Sequence, residues 1–426
     1  MKTLLNHTVN RQFFAPLSDA LDNAQSTRKC SAFSDYNFLV SGVGRVISDA
    51  GSGRDWVQRV QMNRDIDIDL SVSLFFDSLD SRRRLKVTKE VADLIHRQVD
   101  SSTTDSMDPL ACHRELDGYA VYASDGHYED AATHAKPIAG KVREQQYFCS
   151  INLRSHSATL LDIARPAEGK KKEHDMRALK RLSTADMRMG APKGTKVLHA
   201  YDRGGIGYNQ WRKWRAKGIY IISREKSNSK AMVIGINQWD KDDDRNTGII
   251  SDEIVGVFCG ATMRRVRYQD PLSKKLYSYV TSQMTLPPGL IAFLYKMRWD
   301  VEKLFDEKKN KLNEVKDWAV SDTSKSIQMN LTFIAHNLML LFERLLDDKE
   351  DIRDEKVHAK RKKRIKEQLD AIRKNRLTPN PLVINCVRIT QRSLQFIRWL
   401  KSVLWSKTLW DDAIDCLRPL MLNYLK

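Results

Sequence analysis

The most informative stretch of the chain is LYKMRWDVEKLFDEKK, residues 294–309. An α-helix turns by about 100° per residue, so Arg298, Glu302 and Lys309 lie at about −60°, −20° and −40° from Tyr295. The stretch therefore predicts a helix that carries a phenol, a guanidinium, a carboxylate and an ammonium along one stripe. The carboxylate is suited to hold a metal ion, and the cations are suited to hold phosphates.

The composition of the chain favours an anionic partner. Its 426 residues include 72 Lys and Arg against 54 Asp and Glu, which gives a formal net charge of +18. Such a charge favours nucleic acid or an acidic membrane surface, although a protein with basic solvated faces has the same composition. The length suggests about two to four structural units.

The cysteines are scattered and form neither a CxxC pair nor a zinc-ligand spacing. They are Cys30, Cys112, Cys149, Cys259, Cys386 and Cys416. We interpret them as reduced thiols of a cytosolic protein. The first residues have too short an apolar stretch for a signal peptide, and no apolar run reaches membrane-spanning length. No membrane partner is therefore expected.

The order of elements in the middle of the chain is typical of a ribonuclease-H-like α/β core. Three strands, a helix, and then strand, helix and strand are predicted. In chain order they cover residues 119–124, 147–153, 158–163, 173–188, 197–201, 206–217 and 219–224. The predicted fold class is thus α/β, with a β-strand-rich insertion before the last core helices and with helical regions at both ends.

The chain divides into five predicted parts. They are a helical N-terminal DNA-binding region (1–105), the first part of the core (106–230), a β-rich insertion (231–285), the final core helices (286–346) and a helical C-terminal region for DNA contact or dimerisation (347–426). The basic runs at 82–84 and 356–366 are compatible with phosphate binding, but solvated helix faces explain them equally well.

Two further acids occur at predicted strand ends. Asp125 follows the first core strand and Asp202 follows the fourth, while Glu302 lies on the helix after the insertion. Ligand sites of open α/β sheets gather at the carboxyl ends of strands, so we expect the three carboxylates to meet. Two Mg²⁺ or Mn²⁺ ions would relieve their repulsion and support in-line phosphoryl displacement. For either Asp taken alone, a turn or cap is the commoner role.

The spacing Tyr295-x2-Arg298-x3-Glu302-x6-Lys309 resembles the signature of a large group of bacterial insertion-sequence transposases. This group, the insertion-sequence-four family, belongs to the DDE superfamily, whose members have a ribonuclease-H-like core.

Two shorter motifs add to the resemblance, which covers roughly residues 115–345. Asp125-Gly126 is similar to the first Asp motif of the family and Asp202-Arg203-Gly204 to the second. The strand-rich insertion, with its run Arg264–Tyr268, is also the family's arrangement. One departure is His127, because the family often has Thr two places after the first Asp.

The resemblance implies roles for individual residues. Asp125, Asp202 and Glu302 would be the catalytic residues and the ligands of two Mg²⁺ or Mn²⁺ ions. The implied DNA contacts are Tyr295, Arg298, Lys309, Trp299 and Arg224. In relatives that cut through a hairpin intermediate, the signature residues hold the strand beside a flipped base. Trp299 or Trp239 could stack on such a base, although packing in the core is the commoner role of a Trp.

The implied function is that of a DNA transposase in the bacterial cytoplasm, associated with the nucleoid. It would bind the terminal inverted repeats of double-stranded DNA, pair them through a homodimer, cleave them, and join the 3′-hydroxyl groups to target DNA. Two alternatives remain. One is a ribonuclease-H-like nuclease that does not join strands, and the other is a non-catalytic DNA-binding protein derived from a transposase.

Overall fold

The computed structural model describes residues 8–28, 33–63, 65–66, 68–137, 144–166, 173–258, 260–312, 314–384 and 392–422. Three of the cysteines, Cys30, Cys259 and Cys386, lie outside the described residues. The cysteines within them, Cys112, Cys149 and Cys416, are free thiols. No helix in the described part is long and apolar enough to cross a membrane.

Five helices form the N-terminal part. They are α1 (Val9–Asn23), α2 (Asp35–Ile47), α3 (Gly53–Met62), α4 (Val72–Leu79) and α5 (Arg82–Ser101). Four of them begin after a serine whose side chain accepts a hydrogen bond from a backbone N–H three residues further on, which satisfies a donor at the helix start. These serines are Ser34, Ser52, Ser71 and Ser81.

The basic run at the start of α5 is partly engaged within the protein. Arg83 donates two hydrogen bonds to the carboxylate of Asp35 on α2, and Arg84 donates to the backbone oxygen of Phe33. These two arginines therefore tie α5 to the chain around α2, which agrees with the structural interpretation of this run.

Nine strands form one mixed sheet. They are β1 (Tyr119–Glu129), β2 (Gln145–Asn152), β3 (Ala158–Ile163), β4 (Lys196–Tyr201), β5 (Ile219–Arg224), β6 (Met232–Ile236), β7 (Ile249–Gly256), β8 (Thr262–Gln269) and β9 (Leu276–Thr281). Their order is β3-β2-β1-β4-β5-β9-β8-β7-β6. The pairs β1–β4 and β4–β5 are parallel and the others are antiparallel. This order confirms the predicted α/β fold class with a ribonuclease-H-like core.

The β-rich insertion continues the core sheet. Its last strand, β9, pairs antiparallel with β5 of the core, and β8, β7 and β6 follow outward. The backbone hydrogen bonds of the core therefore run uninterrupted into the insertion.

The remaining helices of the core pack on this sheet. They are α6 (Asp175–Arg181), α7 (Thr184–Arg188), α8 (Tyr208–Arg215), α9 (Pro288–Met297), α10 (Trp299–Asn310) and α11 (Asp322–Glu350). The single helix predicted at 173–188 is wrong, because Ser183 and Asp186 form a capping box that starts a second helix.

The signature helix is also divided into two segments. Arg298 ends α9 and precedes α10, and the hydrogen bonds that flank it, from Arg298 N to Tyr295 O and from Val301 N to Arg298 O, each span three residues at 3.1 Å. The prediction of one regular helix is therefore wrong at this residue. The three-residue bonds tighten the turn where the guanidinium leaves the backbone.

The long apolar helix α11 contains the helix predicted to back the core. It packs against α1, α2 and α5 and also against β3 of the sheet. The C-terminal helices are α12 (Glu355–Lys374), α13 (Pro381–Ile384), α14 (Leu394–Val403) and α15 (Trp410–Met421). Residues of α14 and α15 share one hydrophobic cluster with α11 and the N-terminal helices. Both ends of the chain are thus built around α11.

Candidate active site

Strands β1 and β4 place two acids at one edge of the sheet. Their parallel pairing ends at Ala123 and Ala200, and Asp202 follows the end of β4. Strand β1 does not end there, because it continues to Glu129 in pairing with β2. The expectation that Asp125 ends its strand is therefore wrong, but Asp125 still lies just beyond the point where the two strands separate.

Asp125 and Asp202 line the same small pocket, together with Asp175. The Oδ1 atom of Asp202 accepts a 2.7 Å hydrogen bond from the backbone N–H of Gly204, which closes a short turn after β4. A Cβ at Gly204 would overlap Oδ2 of Asp175, so a larger residue there would displace that carboxylate. The turn fixes Asp202 beside the mouth of the pocket.

Glu302 is connected to Asp125 by hydrogen bonds that both carboxylates accept from Arg298. The Nη1 atom of Arg298 donates to Oδ2 of Asp125 at 2.5 Å, and its Nη2 atom donates to Oε1 of Glu302 at 2.8 Å. The Nε atom of Arg298 is buried and has no hydrogen-bond partner among the described residues. One guanidinium thus bridges β1 and α10, although Asp125 and Arg298 are 173 residues apart along the chain.

The electrostatics of the pocket depend on burial and on the mutual repulsion of the acids. Burial raises the pKa of Asp125 to about 6, the positive charge of Arg298 opposes this rise, and the charges of Asp202 and Glu302 add to it. Burial also raises the pKa of Asp175, and the charge of Asp202 adds to that rise. The pocket therefore carries more negative charge than Arg298 alone neutralises, and a further cation would relieve the excess.

The carboxylates suit hard divalent cations in ligand type, because Mg²⁺ and Mn²⁺ prefer oxygen ligands. Among the residues that the structure describes, no group of three or more His, Cys, Asp or Glu side chains is arranged to hold a metal ion. The guanidinium of Arg298 lies between two of the acids and forms an ion pair with each of them. The donor set fits a divalent cation provided that Arg298 gives up its place.

Four of the five expected DNA contacts gather in one neighbouring cavity. This cavity has a volume of about 480 Å³ and is lined by Arg224, Tyr295, Arg298 and Trp299 among others. The side chain of Trp299 is 54 % exposed, and the guanidinium of Arg298 lies 5.6 Å from its ring centre. These side chains present two cations and two aromatic faces to one space.

Lys309 lies elsewhere. It is exposed near the end of α10, close enough to His127 for its charge to lower the pKa of that imidazole. It lies about two turns beyond Glu302 on α10 and does not line the cavity. Trp239 does not line the cavity either, and the Nζ of Lys241 lies 5.9 Å from its ring centre.

Three further tyrosines line the cavity, and none of them is among the DNA contacts predicted from the sequence. Tyr277 and Tyr279 on β9 stack with ring centres 6.2 Å apart, Tyr279 lies 4.9 Å from Tyr295, and Arg224 lies 5.2 Å from the ring of Tyr277. Tyr268 on the adjacent strand β8 also lines this space. The spacing of Tyr277 and Tyr279 could have indicated a shared aromatic surface, because alternate residues of a strand lie on the same face.

His127 takes a structural role. Its ring stacks on Phe305 of α10, with centres 4.5 Å apart and planes 22° apart. Burial, together with the nearby charges of Lys308 and Lys309, lowers its pKa to about 3, so the imidazole is neutral at ordinary pH. The departure from the resembled motif at this position thus supplies a packing contact between β1 and α10.

Strand-end acids on a ribonuclease-H-like sheet define a class of enzymes that transfer phosphoryl groups in nucleic acids. The family of transposase DDE domains matches residues 125–338, so the chain belongs to this transposase family. DNA is the partner that the family implies, and the family generally uses divalent metal ions. No curated protein matches the chain.

Proposed function

We propose that the chain is the transposase of a bacterial insertion sequence of the Tyr-Arg-Glu-Lys type. It binds the inverted-repeat ends of its element, cleaves them and joins the freed 3′-hydroxyl groups to target DNA. The observation that carries this proposal is the Arg298 bridge between Asp125 and Glu302, with Asp202 lining the adjoining pocket. Acids from three separate parts of the chain converge there beside a cavity rich in cations and aromatic rings.

In this proposal Asp125, Asp202 and Glu302 are the catalytic acids and hold two Mg²⁺ or Mn²⁺ ions. When bound, such ions activate the attacking oxygen and stabilise the leaving oxygen of an in-line displacement. Arg298 neutralises two of the acids in the protein without metal ions. In the complex with metal ions and DNA, it would bind a phosphate of the cleaved strand. A guanidinium can make this exchange because carboxylate and phosphate accept the same paired hydrogen bonds.

We assign the strand beside the cleavage site to the cavity between β9 and α9. Its volume of about 480 Å³ is ample for a single nucleobase. Trp299 and Tyr295 offer stacking faces, and Arg224 and Arg298 offer cations to the adjoining phosphates. Lys309, about two turns further along α10 than Glu302, contacts the DNA backbone.

We assign recognition of the terminal repeats to residues 1–105, with help from α12. Seven Lys and Arg side chains of α12 are exposed: Lys360, Lys362, Lys363, Arg364, Lys366, Arg373 and Lys374. Two element ends require two active sites, so we infer a homodimer in the DNA complex, to which residues 347–426 contribute.

The replacement Glu302→Gln tests the proposal because it keeps the size of the side chain and removes its charge. We expect cleavage of a supercoiled donor plasmid with Mg²⁺ to fall by about 1,000-fold or more. Binding to the element ends in Ca²⁺, measured by gel shift, should stay within about twofold of the unchanged protein. Asp117→Asn, which likewise replaces a carboxylate by its amide at an exposed turn before β1, is the control and should cleave normally.

The outcome of a two-plasmid assay separates the proposal from its alternatives. Joined donor–target products support a transposase, whereas cut ends without joining would identify a nuclease. Binding in Ca²⁺ without any cleavage in Mg²⁺ or Mn²⁺ would identify a non-catalytic DNA-binding protein. Cleavage by the Glu302→Gln variant at the normal rate would refute the assignment of the acids.

A further inference from the structure

A row of contacts joins β1 to α10. Asp125, His127 and Glu129 are alternate residues of β1, so their side chains leave the same face of the strand. They meet, in order, Arg298, Phe305 and Lys308 at successive positions along α10. The first of these contacts involves the proposed catalytic acids, and the third lies farthest from them.

The third contact is a buried ion pair. The ammonium of Lys308 meets Oε1 of Glu129, and these two residues are 3 % and 1 % exposed. Lys308 also lies within electrostatic range of Glu314 and Asp317, and its Nζ is 5.8 Å from the ring centre of Tyr147. Removing both ions from water is costly, so such a pair contributes little net stability and is better explained by a need for a fixed arrangement.

The chain beyond α10 extends the same seam. The backbone N–H of Asp130 donates to Val315 at 3.0 Å, and the backbone N–H of Asp317 donates to Asp130 at 2.9 Å. Tyr147 of β2 donates from its hydroxyl to Asp317. The end of β1 is therefore held against α10 and the segment after it by backbone hydrogen bonds and by the buried hydroxyl of Tyr147.

The position of this pair matters because the first contact is temporary in the proposed reaction. In the proposed reaction the guanidinium of Arg298 turns from the carboxylates to a DNA phosphate, so its link between β1 and α10 is lost when cations and DNA arrive. Glu129 lies about 13 Å along the strand from Asp125, and Lys308 lies about 9 Å along the helix from Glu302. A link at that distance, together with the stacked pair His127 and Phe305, would hold the helix at a constant angle to the strand.

We propose that Glu129 and Lys308 are positioning residues whose buried ion pair sets the separation between the carboxylates of Asp125 and Glu302. This inference rests on the proposed function of those acids as cation ligands. A displacement of about 1 Å in a catalytic group can cost about 100-fold in rate. Loss of the pair would therefore weaken cation binding and slow cleavage while leaving the DNA-contacting surfaces unchanged.

The test uses the full-length protein with Lys308→Met, Glu129→Gln and Lys308→Arg. Mn²⁺ binding to the DNA-free protein is measured by electron paramagnetic resonance, and the Mg²⁺ requirement is measured from cleavage of pre-bound ends. We expect Lys308→Met to weaken Mn²⁺ binding about tenfold and to raise the Mg²⁺ concentration for half-maximal cleavage about tenfold. Lys308→Arg keeps the positive charge opposite Glu129, so we expect it to lose much less Mn²⁺ affinity than Lys308→Met and to need less additional Mg²⁺. End binding in Ca²⁺ should stay within about twofold.

The matched control is a second buried ion pair, Arg264 with Asp252, which joins β7 to β8 and does not touch α10. Asp252→Asn should lower the melting temperature and leave the affinity for Mn²⁺ unchanged. If Lys308→Met does not fold, Glu129→Gln gives the same comparison with an isosteric side chain, for which we expect about a threefold loss of Mn²⁺ affinity.

Two results would overturn the inference. One is a folded Lys308→Met or Glu129→Gln variant whose Mn²⁺ affinity and Mg²⁺ requirement equal those of the unchanged protein. The other is an equal loss in Asp252→Asn, which would make the effect one of general stability. Failure of the proposed function would give a different result. The unchanged protein would then cleave no DNA, and Glu302→Gln would not reduce its Mn²⁺ binding.

Discussion

Arg264 and Arg298 both bind carboxylates across neighbouring elements, but their surroundings differ. Arg264 on β8 donates from Nε and Nη2 to Asp252 on β7, and from Nη1 to the backbone oxygen of Leu286. Each of its three nitrogens has a partner, and the pair is fully buried. Arg298 faces two acids, one of them substantially exposed, and its Nε atom has no partner among the described residues.

The difference separates a structural arginine from one that can exchange partners. Arg264 would lose three hydrogen bonds by moving and has no access to solvent. Arg298 lines a cavity of about 480 Å³ and can turn from carboxylates to an incoming phosphate. In the sequence both residues belong to runs that resemble the transposase family, so the resemblance alone gave no reason to rank one above the other.

The largest expected effect tests the structural side of this comparison. Asp252→Ala leaves the guanidinium of Arg264 buried without its counter-ion, and we expect the free energy of unfolding to fall by about 3–5 kcal/mol. Urea unfolding followed by circular dichroism measures this change. The folded fraction should still cleave DNA at a normal rate. Loss of cleavage without loss of stability would instead place Arg264 in the DNA interface.

The second prediction tests the functional side. Arg298→Ala removes both the bridge between the acids and the proposed phosphate contact, so we expect the cleavage rate at saturating Mg²⁺ to fall by about 100- to 1,000-fold. The loss of unfolding free energy should be smaller than for Asp252→Ala, because the carboxylates left behind are closer to water. Single-turnover cleavage and urea unfolding on the same preparations provide the measurement. A variant that unfolds as readily as Asp252→Ala but cleaves normally would reverse the assignment.

A third prediction concerns the stability cost of the acidic pocket. The pKa of Asp125 is raised from 3.8 to about 6, so its carboxyl binds a proton more readily in the folded chain than in the unfolded one. Proton binding at Asp125 therefore contributes to the free energy of unfolding. This contribution is fully present below pH 3.8 and is lost as the pH rises through about 6. Asp125→Asn should therefore stabilise the cation-free protein at pH 8 by about 3 kcal/mol.

Thermal unfolding at two pH values checks this third prediction. The gain from Asp125→Asn should be present at pH 8 and absent at about pH 4, where the native carboxyl is already protonated. A loss of stability at pH 8 would mean that the ion pair with Arg298 outweighs the cost of burying the charge.

The smallest expected effect is the pH dependence of cation binding. A carboxyl with a pKa of about 6 is ionised at pH 7 and mostly protonated at pH 5. We therefore expect the affinity of the DNA-free protein for Mn²⁺ to fall about tenfold from pH 7 to pH 5. Electron paramagnetic resonance titrations at both pH values provide the measurement. An affinity independent of pH would remove Asp125 from the ligand set.

The sequence was sufficient to predict the fold class and the order of the elements. Strand periodicity placed β1 to β5 and indicated that residues 231–285 are rich in strands, but it did not place every strand of the insertion. The ends of elements were less accurate: β1 extends beyond Asp125 because β2 keeps pairing with it after β4 has diverged. A pairing partner more than twenty residues away leaves no mark on local periodicity.

The sequence by itself determined which residue types the site contains and on which elements they lie, because motif spacing and apolar periodicity are local properties of the chain. The tertiary structure decided what those residues contact. It placed Arg298 between two acids, left Lys309 outside the cavity that Tyr295 and Arg298 line, and paired Glu129 with Lys308. These contacts depend on how a strand and a helix are aligned across the whole core, and that alignment is set by packing and burial rather than by neighbouring residues.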